Sequence, residues 1–138
     1  MKKILQKASV DFLIVHSTYT AARLDLTVED VLNRRIKNGF PDIGFHHVIT
    51  RDGSVELGVP LDTVGTHTPR FADSAIGILL VGGKTSRGVP SDNYTQAQKQ
   101  SLKTLLTTLK LTYINAKVIG SGEVLGGSSP HFDLQEVT

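Results

Sequence analysis

The chain has 138 residues, of which 39% are hydrophobic and 20% charged, a size and balance that predict one domain, 1–138, with a real core and exclude a disordered chain. A net charge of only +2, spread over scattered basic residues, argues against nucleic acid or an anionic membrane as partner, even with a pI near 9.0. The absence of cysteine excludes disulfides and thiolate metal sites, leaving His, Asp and Glu as the strong metal ligands.

Met1-Lys2-Lys3 runs into Ile4-Leu5-Gln6-Lys7, too broken for a signal-peptide core. No run of about 18 apolar residues follows, so no membrane span and a cytoplasmic location are expected. Phe12-Leu13-Ile14-Val15 is a short apolar run that fits a buried strand, and His16 ends it. Helical spacing at Val28, Val31, Leu32 and Ile36 predicts a helix, with Thr27 as N-cap three residues before Asp30 and Gly39 as the stop. Gly44 to Ile49 and Ser54 to Leu57 read as a hairpin turned at Arg51-Asp52-Gly53. Ile76 to Val81 is a third apolar run, closed by Gly82-Gly83. A second helix starts at Thr95, where Gln98 completes a capping box and Leu102, Leu105, Leu106 and Leu109 follow at helical spacing. Val118-Ile119 is the last short strand. Strands alternating with helices predict an α/β fold, a mixed central β-sheet flanked by helices.

Several local signals carry little. Gly82-Gly83-Lys84-Thr85-Ser86 lacks the earlier glycine of a phosphate loop, and Gly126-Gly127-Ser128-Ser129 reads as a flexible loop. Lys99, Lys103 and Lys110 form the solvated face of the second helix.

The order of motifs is more specific than any one of them. Ile14-Val15-His16-Ser17 is followed by Asp42-Ile43-Gly44-Phe45-His46-His47-Val48-Ile49 and Arg51-Asp52-Gly53-Ser54-Val55-Glu56. Then come Val64-Gly65-Thr66-His67, Ile76 to Gly83, Tyr94-Thr95-Gln96-Ala97-Gln98, and Pro130 with Phe132-Asp133-Leu134. In this order the chain resembles the type-2 N-acetylmuramoyl-L-alanine amidases, most closely the lysozymes of T-odd phages, whose fold the peptidoglycan recognition proteins share. The resemblance spans nearly the whole chain and implies a phage or prophage origin.

It also implies a zinc site of two histidines and a cysteine, with a tyrosine and a lysine assisting attack of the metal-bound water on the muramoyl amide. His16 matches the first histidine. Ser121 stands at the second, Ser129 at the cysteine, Phe45 at the tyrosine and Gly127 at the lysine. Val59 replaces an arginine common in the hairpin, and the asparagine expected after His67 is lost around Phe71-Ala72. Neutral hydroxyls are poor zinc ligands beside imidazole or thiolate, so neither zinc nor catalytic residues of the usual kind are expected. The retained surface, His16, Phe45, His67, Ser121 and Ser129, is expected to serve as a binding cleft. A rebuilt zinc site would need His16, His47 and His131, with His47 sharing a strand face with Phe45 and His46 facing away. The alternative places His47 in the core and His131 on the surface. His67 is either a cleft donor or structural, and Glu123 a base only if a nucleophile stands nearby.

Three functions follow from the resemblance. The first is capture of a protein partner, a phage-type single-subunit RNA polymerase that such lysozymes inhibit, through the N-terminal arm with Lys2, Lys3, Ile4 and Leu5. The second is binding of peptidoglycan fragments without cleavage. The third is an active amidase on rearranged ligands.

Overall fold

The apolar run at Phe12 becomes strand β1 (Phe12–Ser17), whose Leu13, Ile14 and Val15 are completely buried because the strand lies inside a sheet covered on both faces. The computed structural model describes residues 3–6 and 9–138, so Lys2 lies outside the described residues. Strand β1 pairs in parallel with β4 (Ala75–Leu80) on one side and β5 (Lys117–Gly120) on the other. Strand β4 pairs in parallel with β2 (His47–Ile49), which pairs antiparallel with β3 (Val55–Leu57). The order across the mixed sheet is β3-β2-β4-β1-β5. Gly53 takes φ +88° at the expected hairpin turn, a conformation that side chains resist.

Alternation along the strands divides the core in two. Leu13, Val15, Ile49, Ile76, Ile78 and Leu80 meet Leu102, Leu106 and Leu109 of helix α2 (Gln96–Thr112). Val48, Leu79 and Val81 cluster instead with Leu26, Phe45, Val59 and Val31 of helix α1 (Val28–Lys37). Both helices open on the expected threonines. Thr27 Oγ1 accepts from the Asp30 N–H at 3.1 Å while the Asp30 carboxylate accepts from the Thr27 N–H at 2.9 Å, and Thr95 and Gln98 repeat the exchange at 3.0 Å each way.

Gln98 has a second task. It is fully buried, and its amide nitrogen donates to the carbonyls of Ile49 (3.1 Å) and Val81 (2.9 Å), fastening α2 to the ends of two strands. Gln98→Ala would leave both carbonyls without these donors in an apolar interior. The expected loss is about 3 kcal/mol, visible as a lower urea midpoint at unchanged slope.

Two local expectations need correction. The strand predicted from Gly44 begins only at His47, because the backbone bends at His46, where the carbonyls of Phe45 and His46 accept in turn from the Val59 (2.8 Å) and Gly58 (3.0 Å) N–H groups. Phe45 and His47 therefore do not share a face: Phe45 belongs to the α1 side, whereas His47 pairs with Ile78 on the α2 side. In α1, Ile36 is 53% exposed, and Arg35 turns toward the sheet in its place. The short helix α3 (Gly122–Leu125) and the 3-10 turns at Ala72–Ser74 and Leu134–Val137 carried no sequence signal long enough to read. Among the described residues no helix is long and apolar enough to cross a membrane.

Candidate functional site

Strand β1 delivers His16 beside Leu79, and thus onto the α1 side of the sheet. Phe45 and His67 close around it: the His16 ring lies 5.0 Å from Phe45 and 5.4 Å from His67, centroid to centroid. All three are nearly covered, with 6%, 8% and 6% of their surface exposed. Gly77 is needed here, because any side chain on it would run into the His67 ring.

Thr68 holds the two histidines together. Its Oγ1 lies 2.8 Å from His67 Nδ1 and 3.0 Å from His16 Nε2. A hydroxyl has one proton, so it donates to one ring and accepts the N–H of the other. Burial pushes His16 down to about 4, with Arg35 adding to the effect, and His67 down to about 3, with His16, His46 and Arg35 contributing. Both rings are neutral at pH 7.

His46 adjoins this centre, its ring 5.6 Å from His67. Its Nδ1 accepts from the Gly77 N–H at 3.0 Å, so the proton sits on Nε2 and is donated to the Thr63 carbonyl at 2.8 Å. The structure thus reverses the expected roles of the pair: His46 borders the site, and His47 points to the other face of the sheet with neither ring nitrogen hydrogen-bonded.

Ser121 follows Gly120, the partner of Val15, and so stands beside His16. Its hydroxyl donates to Ser129 Oγ at 2.7 Å. The two positions that the resemblance assigns to metal ligands are therefore brought together, but as a pair of hydroxyls satisfied by each other. With His16 Nε2 engaged by Thr68, this donor set does not fit zinc, which takes imidazole, thiolate or carboxylate. Gly127 lies on an open loop with no neighbour within 4 Å of where a side chain would start.

The rearranged triad does not assemble either. His47 faces α2, and His131 packs near Tyr19 and Gly83 on the Ser17 side of β1, its Nδ1 3.0 Å from Ser128 Oγ. Glu123 accepts from the Gly120 N–H at 2.6 Å through one carboxylate oxygen. On the N-terminal arm, Lys3 and Ile4 are exposed, Ile4 by 73%, whereas Leu5 is 4% exposed and belongs to the core, so it is not a contact residue. A hollow of about 590 Å³ opens beside β5, lined by Lys117, Gly120, Glu123, Ser129, Pro130 and Phe132. Ser129 thus stands between this hollow and the histidine centre.

A parallel-centred mixed sheet with buried histidines on one face and helices on both is the amidase fold. The chain belongs to the N-acetylmuramoyl-L-alanine amidase family, whose model matches residues 6–132. It is 37% identical over 123 residues to the endolysin of Klebsiella phage KP32, covering 89% of this chain and 82% of that protein. It is 36% identical over 130 residues to the endolysin of Escherichia phage T7, covering 94% and 86%. Among solved structures, the LysCS endolysin amidase of Clostridium intestinale superposes with a TM-score of 0.82 at 23% identity, over 98% of this chain and 85% of that one. A Drosophila PGRP-LB mutant in complex with tracheal cytotoxin superposes with a TM-score of 0.73 at 24% identity, over 96% and 88%.

Arg35 is the site residue that sequence reading missed. A charged residue at the inward position of α1, seven after Val28 and four after Val31, was the available signal.

Proposed function

We propose that this endolysin relative recognises peptidoglycan fragments in the His16, Phe45 and His67 cleft and does not cut them by zinc chemistry. The observation that carries the reading is the Ser121–Ser129 hydroxyl pair at 2.7 Å. Hydroxyls in this arrangement can donate to and accept from a sugar or peptide, but they are weak anchors for a metal. The complex of a PGRP-LB mutant with tracheal cytotoxin supports a ligand in this fold's cleft.

The test combines elemental analysis after zinc incubation, clearing of cell-wall suspensions, and calorimetric titration with a muramoyl peptide. The expected result is no stoichiometric zinc, no clearing, and saturable binding that weakens about tenfold in His67→Ala. Stoichiometric zinc with wall clearing would instead establish an amidase on other ligands.

A second reading has its own observation. Ile4 stands 73% exposed on an arm pinned by buried Leu5 and by the Leu5 N–H to the Asp62 carbonyl at 2.8 Å. Such an apolar side chain on an ordered arm suits a protein contact, and the partner the resemblance implies is a single-subunit RNA polymerase. Ile4→Asp, which leaves the core untouched, should abolish any inhibition of that polymerase in a transcription assay. No inhibition by the unmodified protein excludes this reading.

A further inference from the structure

We propose that Arg35 is a carboxylate anchor at the Phe45 end of the cleft, and that the ligand taken there is an acidic wall peptide rather than a neutral one. The inference rests on the wall-fragment reading and names the chemistry that the site selects.

Arg35 comes from the last turn of α1. Its guanidinium carbon lies 3.6 Å from the centroid of the Phe40 ring and 5.5 Å from that of Phe45. Nη2 donates to Thr66 Oγ1 at 2.6 Å and reaches the Thr66 carbonyl at 3.3 Å. Nε is buried and has no partner. The aromatic stack and the threonine tether fix the plane of the group, which is the preorganisation that planar anions favour.

What the guanidinium lacks is a carboxylate in contact with it. Among the described residues the ion pairs within 4 Å are both made by Lys99, with Asp92 and Glu136. Asp42 acts on the guanidinium through space only, without an ion pair within 4 Å, and spends a carboxylate oxygen on the Gly44 N–H at 2.9 Å. The other titratable groups of the centre, His16 and His67, are held neutral by burial, and the Arg35 charge reinforces this. The centre therefore carries a positive charge that no carboxylate among the described residues touches directly. A partly desolvated cation without an anion is costly, and a packing role against Phe40 would be met by an apolar side chain. A ligand carboxylate supplies the missing contact and strengthens as water is excluded.

The experiment is a calorimetric titration with a muramoyl peptide bearing free carboxylates and with the same peptide converted to carboxamides. Wild type, Arg35→Gln and Arg35→Lys are compared. Amidation should weaken wild-type binding about tenfold or more. Arg35→Gln should lose the same factor toward the acid form while binding the amide form within about twofold of wild type. Arg35→Lys should recover only part of the loss, because an ammonium lacks the planar fork. Equal weakening of both ligand forms in Arg35→Gln would reduce Arg35 to a packing role and overturn the proposal. Indifference of the wild type to amidation overturns it too, yet leaves the wall-fragment reading standing. No binding of either form by the wild type removes both.

Discussion

Ser121→His combined with Ser129→Cys should turn a chain expected to take up no zinc into one that holds a single equivalent. The two hydroxyls are 2.7 Å apart, so side chains grown from these positions start close enough to share one ion. Gly120 pairs with Val15 in the sheet, which sets the next residue, Ser121, alongside His16. The sheet register therefore sets two of the ligand positions at neighbouring strand ends, and the hydroxyl pair brings the third beside them. His16 must give up its bond to Thr68, at a cost of about 1 kcal/mol. Against this, a complete imidazole and thiolate set binds zinc with roughly 10 kcal/mol. Elemental analysis after dialysis reads the result, and Ser129→Cys alone should retain far less metal than the pair. A folded double variant without zinc would mean that the three positions do not converge on one point. Zinc uptake without wall clearing would point to the remaining differences at Phe45 and Gly127. A lysine at Gly127 has room, but the φ of +88° there opposes any side chain by about 1–2 kcal/mol.

The protein should also lose stability steeply in mild acid. Burial, with a smaller contribution from His46, holds His47 at about 4 against an ordinary 6.5, and His16 and His67 are depressed to about 4 and about 3. In the unfolded chain all three take up protons near pH 6.5. The unfolded state then binds more protons than the native one, so stability is fully present above pH 6.5 and falls as pH drops toward 4. Each ring contributes on the order of 3 kcal/mol by pH 4, and three together rival the whole stability of an ordinary domain. His47 is the cleanest probe, because it lies outside the cleft and both its nitrogens are buried without partners. His47→Leu should be more stable than wild type by about 1–2 kcal/mol at pH 7.5. Its stability should also fall less steeply between pH 6.5 and 5. Urea unfolding across that range decides the matter, and identical pH slopes for the two proteins would sink the explanation.

Where the chain obeys local rules, the fold was readable in advance. The capping threonines, the Asp52-Gly53 turn, the apolar runs at Leu13 and Ile76 and the leucine stripe of α2 all signal through neighbours a few residues away. Strand order was not readable, because pairings such as Phe12 with both Ala75 and Lys117 leave no local trace. The site divides the same way. His16, Phe45 and His67 were identified and do come together. The errors at His46 and His47 have one cause, the bend at His46, which breaks the alternation between Phe45 and His47 and delays the strand. Thr68, which joins two histidines, and Arg35, which turns inward at a helix end, depend on side-chain directions that a one-dimensional pattern does not contain.

The central position of β1 has a consequence for how the molecule comes into being. This strand leaves the ribosome before either of its hydrogen-bonding partners, β4 and then β5. Until Lys117–Gly120 emerges, the run Leu13-Ile14-Val15 has an open edge with nothing to zip against. Nascent or prematurely terminated chains expose an apolar strand edge throughout this interval, so the burden of avoiding aggregation falls on synthesis rather than on the finished protein.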